Sequence, residues 1–83
     1  MKCVRILKHR TRYDIVAMIL RASLDGAKRT KIMYSTQLSY NKLMELLSVA
    51  IKKEMLEYDE ESRTYRTTAK GRAYLKNYDK IQL

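Results

Sequence analysis

Apolar and polar positions along this chain change period several times, and each change marks an element. From Tyr13 onward, Ile15, Val16, Ile19, Leu20 and Ala22 recur at spacings of three and four, which places them on one face of a helix. That helix is expected to close near Asp25, because Gly26 adopts the left-handed conformation cheaply. Ala27 to Arg29 form a short connection able to pair with a later hairpin as a third strand. Thr30 is expected to cap a second helix, with Ile32 and Met33 facing inward and Lys31, Tyr34 and Ser35 nearer to solvent. Gln37 and Leu38 then make a turn. The strongest period follows: Ser39 is a favourable N-cap, and Leu43, Leu46, Leu47, Ala50 and Ile51 share one face of a third helix. Asn41, Glu45, Ser48 and Lys52 occupy the opposite face, flanked by Lys42, Met44 and Val49.

Beyond Lys53 the pattern alternates. Leu56 and Tyr58 are expected to point to the core and Glu57 and Asp59 outward, with Tyr65 and Thr67 repeating the alternation after a turn around Glu60 to Ser62. Thr68 then caps a last helix whose Gly71, Tyr74, Leu75, Tyr78 and Ile81 form one seam. Ahead of all this, residues 1–12 are a basic arm in which Cys3, Val4, Ile6 and Leu7 suit either a short strand or an early helical turn.

Helix, turn, helix and hairpin in that order predict an α+β, mainly helical fold, a winged helix-turn-helix spanning 13–68 with an added C-terminal helix over 69–83. Little chain remains to cover the seam of that last helix. Gly71, Tyr74, Leu75, Tyr78 and Ile81 are therefore the expected homodimer interface. An 83-residue chain hides only about 60% of its unfolded surface and gains from a partner subunit. The seam is under three heptads long, so any coiled coil would be short.

Charge sharpens the functional reading. The formal net charge is +9. Residues 1–31 carry nine basic and two acidic side chains, residues 32–53 three and one, and residues 62–83 six and one; residues 54–61 carry five acids and no base. An acidic patch thus sits inside a basic protein. Such cations either solvate a surface or bind an anion, and nucleic acid is the commonest partner. Placed by the predicted fold, the candidates for phosphate contact are Lys28, Arg29 and Lys31 at the start of the second helix, Lys42 on the third, and Arg63 and Arg66 on the wing. Tyr34, Ser35, Ser39 and Tyr40 offer neutral hydrogen bonds to phosphate, aided by the third helix's N-terminal dipole. Asn41 is the best base reader, because its amide pairs bidentately with adenine, and Glu45 can accept from cytosine N4.

Other chemistries lack their residues. The single cysteine, Cys3, leaves no internal disulfide and no zinc cluster, and the setting expected is reduced and cytoplasmic, with nucleoid association for a DNA binder. His9 is the only histidine, with no motif to make it catalytic, so no enzyme is expected. Glu57 to Glu61 lack calcium-loop spacing, the two glycines lie too far apart to cradle a phosphate, and no apolar run approaches a membrane span. No cofactor, metal or membrane partner is expected. A protein-interaction module of a transcription assembly and an RNA-binding protein are the alternatives to a duplex-DNA binder.

Gly26-Ala27, Ile32-Met33-Tyr34, Leu38-Ser39-Tyr40, Leu56-Glu57 and Thr68-Ala69-Lys70-Gly71, in this order and spacing, resemble the archaeal winged-helix DNA-binding proteins that include the small basic crenarchaeal chromatin-associated family. The likeness covers roughly residues 13–78. It implies a winged helix, a homodimer formed through the C-terminal helix, and binding of double-stranded DNA with no cofactor; Ser39 to Ser48 match the family's recognition helix. This chain differs at the wing, where that family commonly turns on glycine and the tip here reads Asp59-Glu60-Glu61-Ser62, leaving Arg63 and Arg66 to make any wing contact.

Overall fold

The computed structural model describes residues 11–81; residues 1–10 of the N-terminal arm, with Cys3 and His9, lie outside the described residues, as does the side chain of Ile81, while Thr11 and Arg12 belong to the start of the first helix. The order is α1 (Arg12–Ala22), α2 (Arg29–Thr36), α3 (Tyr40–Lys52), β1 (Leu56–Asp59), β2 (Thr64–Thr67) and α4 (Ala69–Ile81). The fold is mainly helical with one small antiparallel sheet, as the periodicity predicts.

Helix α1 starts on a reciprocal cap. The Asp14 amide donates to Thr11 Oγ1 at 3.1 Å and the Thr11 amide donates to the Asp14 carboxylate at 2.9 Å, satisfying two N–H groups the helix cannot. It closes at Ala22, short of Asp25. The reason is Ser23, which is fully buried and donates its hydroxyl to the Ile19 carbonyl at 2.9 Å, while its own carbonyl accepts the amides of Gly26 and Thr67. The chain thus turns before Gly26, which still takes the left-handed conformation at φ +94°.

Ala27 then pairs with Tyr65 through hydrogen bonds of 2.8 and 2.7 Å, which is the third strand in its shortest form. Lys28, not Thr30, is the N-cap of α2, and its side chain makes no capping bond; Thr30 lies inside the first turn. Ile32 is fully buried and Met33 half-buried, and Gln37 ends the helix at φ 58°. Ser39 caps α3 as expected, accepting the Lys42 amide at 3.3 Å.

Leu43, Leu46, Leu47 and Ala50 of α3 join Val16, Ala17, Ile19 and Leu20 of α1 in the core with Ile32, Leu56, Tyr65 and Leu75. Ile51 departs from the expected stripe and is 40% exposed. It sits at the edge of that face in the last turn, where the chain is already leaving the core. Glu54 at φ 64° reverses the direction, with its amide on the Ile51 carbonyl and that of Met55 on Ala50, and this buries Met55.

The hairpin pairs Leu56 with Thr67, Glu57 with Arg66, Tyr58 with Tyr65 and Asp59 with Thr64. Leu56, Tyr65 and Thr67 are buried as the alternation predicts. Tyr58 is not; it is 43% exposed and lies on the Tyr65 ring with centroids 4.7 Å apart. Strand β2 lies between β1 and Ala27, so Tyr58 stands on the outer strand and meets its cross-strand neighbour Tyr65, which takes the inner place. Thr68 fastens α4 to the strand entry, donating its amide to the Met55 carbonyl at 3.0 Å and its hydroxyl to that of Glu54 at 2.7 Å. It also accepts the Gly71 amide at 3.1 Å, the expected cap.

Candidate nucleic-acid interface

The helix-turn-helix puts every proposed contact residue at the surface: Lys28, Arg29, Lys31, Tyr34 and Ser35 on α2, Ser39, Tyr40, Asn41, Lys42 and Glu45 at the start of α3, and Arg63 and Arg66 on the hairpin are all exposed. The buried faces of α2 and α3 are held by Ile32 and by Leu43, Leu46 and Leu47, which leaves the polar side of α3 facing solvent. Tyr34 is the most exposed large apolar side chain, at 87%, beside a shallow hollow shared with Thr30, Met33, Gln37 and Leu38.

These residues divide into groups. The Arg29 guanidinium lies over the Tyr40 ring, 5.4 Å from its centroid, a cation–π contact that ties the start of α2 to the start of α3. Lys28 and Arg29 meet Arg63 of the wing around a cleft of about 390 Å³ whose other walls are Thr30, Tyr58 and Tyr65. On α3, Lys42 and Glu45 pair one turn apart at 3.9 Å; an exposed pair of this kind holds both chains loosely and leaves either free to turn to another partner. Asn41 carries no such tie among the described residues.

Arg66 is separated from this group. It belongs to the strand face opposite Tyr65, and its guanidinium reaches within 3.3 Å of where a Cβ on Gly26 would lie. The two wing arginines are therefore not equivalent: Arg63 joins the α2 cations and Arg66 covers the α1–α2 connection. The tip between the strands is organised by Asp59, whose carboxylate accepts the Glu61 amide at 3.2 Å and the Ser62 hydroxyl at 2.9 Å. One of the tip acids is thus occupied in shaping the turn. Tyr58 and Thr30 are not among the contacts the sequence offers: alternation points Tyr58 inward and residue type makes Thr30 a cap, and neither signal shows that both line the cleft with Arg63.

The seam of α4, which the sequence left without cover, is covered within the chain by α1 and the strand entry, so of the five residues expected at a dimer interface Gly71 and Leu75 face inward. Gly71 is buried against the Met55 carbonyl, and Leu75, 6% exposed, reaches the core. The Tyr74 hydroxyl donates to the Tyr13 carbonyl at 3.1 Å, and the Tyr78 hydroxyl donates to the Asp14 carboxylate. That bond holds the Asp14 carboxyl below its ordinary pKa and pushes the Tyr78 phenol up to about 12. Arg21 and Asp79 add an exposed bridge of 2.9 Å between the same two helices. Tyr74 and Tyr78 are half-buried, and with the 70%-exposed Tyr13 they leave an aromatic edge on the outside.

Among the described residues no cluster of His, Cys, Asp or Glu is arranged to hold a metal, and no helix is long and apolar enough to cross a membrane. Fold and surface together define a helix-turn-helix carrying a two-stranded wing, and a winged helix-turn-helix family model matches residues 9–83. The chain belongs to the winged helix-turn-helix family. No curated protein matches it significantly.

Proposed function

We propose that this protein is a homodimeric double-stranded DNA-binding protein, a transcriptional regulator or chromatin-associated component, that lays α3 in the major groove. The observation that carries the reading is the exposed start of α3, with Ser39, Tyr40, Asn41 and Lys42 presented above a buried stripe, Arg29 of α2 lying over Tyr40, and Lys28 and Arg63 sharing a cleft with that arginine. In this geometry a helix presents its N-terminal residues to base edges while its neighbours grip the backbone. Asn41 reads a base, Glu45 either accepts from cytosine or repels unspecific contacts, and Lys28, Arg29, Lys31, Lys42 and Arg63 neutralise phosphates, with Arg66 reaching from the wing's other face. The likeness to the crenarchaeal chromatin-associated proteins supports the dimer, as does the aromatic surface of Tyr13, Tyr74 and Tyr78. A nucleoid location in the cytoplasm follows from that function.

The test is equilibrium binding of the purified protein to a random-sequence duplex at several salt concentrations, with unlabelled RNA as competitor, alongside its mass in solution. Roughly six phosphate contacts give a log–log salt slope near −5. Preference for duplex DNA and a two-chain mass are the expected results. No binding at low salt defeats the DNA reading in favour of a protein-interaction module, and a one-chain mass defeats the dimer. A specific-to-nonspecific ratio of at least about 10³ marks a regulator, and little preference marks a chromatin protein.

A further inference from the structure

The cleft between the start of α2 and the wing has the chemistry of a small-anion site. Lys28 and Arg29 enter from the α2 side and Arg63 from the hairpin, and no carboxylate is among the residues that line it. Three cations from two elements converge there although the adjacent wing tip carries Asp59, Glu60 and Glu61. The N-cap of α2 makes no side-chain hydrogen bond, so the first-turn amides, which carry the positive end of the helix dipole, keep their donors for another acceptor.

A second feature is independent of the charges. Tyr65 lines the same cleft and is only 7% exposed, yet its hydroxyl makes no hydrogen bond among the described residues. No buried side-chain polar atom of the described residues is sealed from solvent without a partner, so that hydroxyl is reached by solvent, and the cleft is the hollow that Tyr65 lines. A tyrosine held this deeply usually finds an acceptor. Arg63 takes φ 57°, a left-handed conformation that glycine would fill more cheaply. Its side chain lines the cleft.

We propose that this cleft seats one phosphoryl group, bound by Lys28, Arg29 and Arg63, by the first-turn amides of α2 and by the Tyr65 hydroxyl, with Tyr58 as a side wall. The donor set consists wholly of N–H and O–H groups, as a multiply charged oxyanion requires. The phosphoryl group comes either from a duplex backbone or from a free phosphate ester. The first source rests on the DNA-binding reading; the second does not.

The test is titration of the ¹⁵N-labelled full chain with inorganic phosphate, with chloride at matched ionic strength as control. Amides of Arg29, Thr30 and Arg63 should shift saturably with phosphate and not with chloride. Arg63→Gln should weaken the phosphate affinity about tenfold and Tyr65→Phe about fivefold, as loss of a charged and of a neutral donor predicts. Unchanged resonances from α1 and α4 would report an intact fold, and Lys28→Gln supplies the same reading should Arg63→Gln fail to fold. Absence of saturation, equal shifts with chloride, or undiminished affinity in the folded charge variant would overturn the seat. Duplex added to the phosphate-loaded protein then separates the sources: displacement of phosphate assigns the seat to the DNA backbone, and its retention assigns it to a free ester. A seat that saturates in a protein no duplex will bind sinks the DNA reading and leaves this one standing.

Discussion

Gly71→Ala sets two effects of opposite sign against each other. On helix propensity alone the change should stabilise, because alanine in a helix is favoured over glycine by about 1 kcal/mol. The seating of α4 says the reverse. A Cβ at Gly71 would lie 2.3 Å from the Met55 carbonyl oxygen and 2.6 Å from Thr67 Cγ2. Reopening the first gap to an ordinary carbon–oxygen separation of about 3.3 Å requires the first turn of α4 to retreat by about 1 Å. That turn also carries Thr68, whose amide reaches Met55 at 3.0 Å and whose hydroxyl reaches Glu54 at 2.7 Å. A retreat of that size breaks both bonds, at about 1 kcal/mol each. Remaining in place bears the overlap instead, at about 1–3 kcal/mol for an overpacked methyl group. The first route costs about 2 kcal/mol and the second a similar amount, so after the propensity gain the variant should be less stable by about 1 kcal/mol, lowering Tm by about 4–8 °C. Thermal unfolding followed by circular dichroism reads this directly. Ala73→Gly, at an exposed position of the same helix, isolates the propensity effect. Should Gly71→Ala melt at or above the wild type, α4 is not seated against Met55 as described.

The bond between Tyr78 and Asp14 makes stability depend on pH at both ends. Its contribution is full between the unfolded carboxylate and phenol pKa values; it is lost in acid as pH falls through the depressed Asp14 pKa, and in alkali as pH rises from about 10 towards 12. Tyr78→Phe should cost about 1 kcal/mol at neutral pH and flatten both limbs of the urea-midpoint profile; an unaltered profile would discount the bond. Arg63→Gly should raise Tm by relieving the left-handed side chain, a net gain of about 1 kcal/mol, while weakening phosphate binding; a drop in Tm would contradict the strain. For DNA, Arg29→Ala should weaken all duplexes and lower the salt slope by nearly one, whereas Asn41→Ala should change base preference and leave the slope alone. Identical behaviour of those two variants would refute the division between anchors and readers.

Much of the fold was legible because local periodicity and caps act over a few residues. The α3 stripe, the Ser39 and Thr68 caps and the inward Tyr65 and Thr67 all follow from spacing and side-chain chemistry near each position. The misplacements share a cause. Thr30 looks like a cap by residue type, but the bridge between Ala27 and Tyr65 starts the helix at Arg29 and makes Lys28 the N-cap. Ile51 satisfies its period yet stands in the last turn, at the edge of the layer α3 packs on, and Tyr58 satisfies its alternation but on the outer strand, while Ala27 and β1 flank its partner Tyr65. Asp25 lies past the helix end because Ser23 is drawn to the Ile19 and Thr67 backbone.

For the candidate interface the separation is similar. Sequence alone determined which side chains carry charge, which helix offers Asn41 and Lys42 to solvent, and that the wing tip is acidic, since those depend on identity and helical phase. Only the tertiary structure decided that Arg63 joins Lys28 and Arg29 while Arg66 turns to Gly26, that Tyr65 lines the cleft shared by Lys28, Arg29 and Arg63, and that Gly71 is where α4 meets the Met55 carbonyl. These are contacts between residues more than 15 positions apart in the chain. Their geometry is set by how whole elements pack, and that is a property of the closed core instead of any one segment.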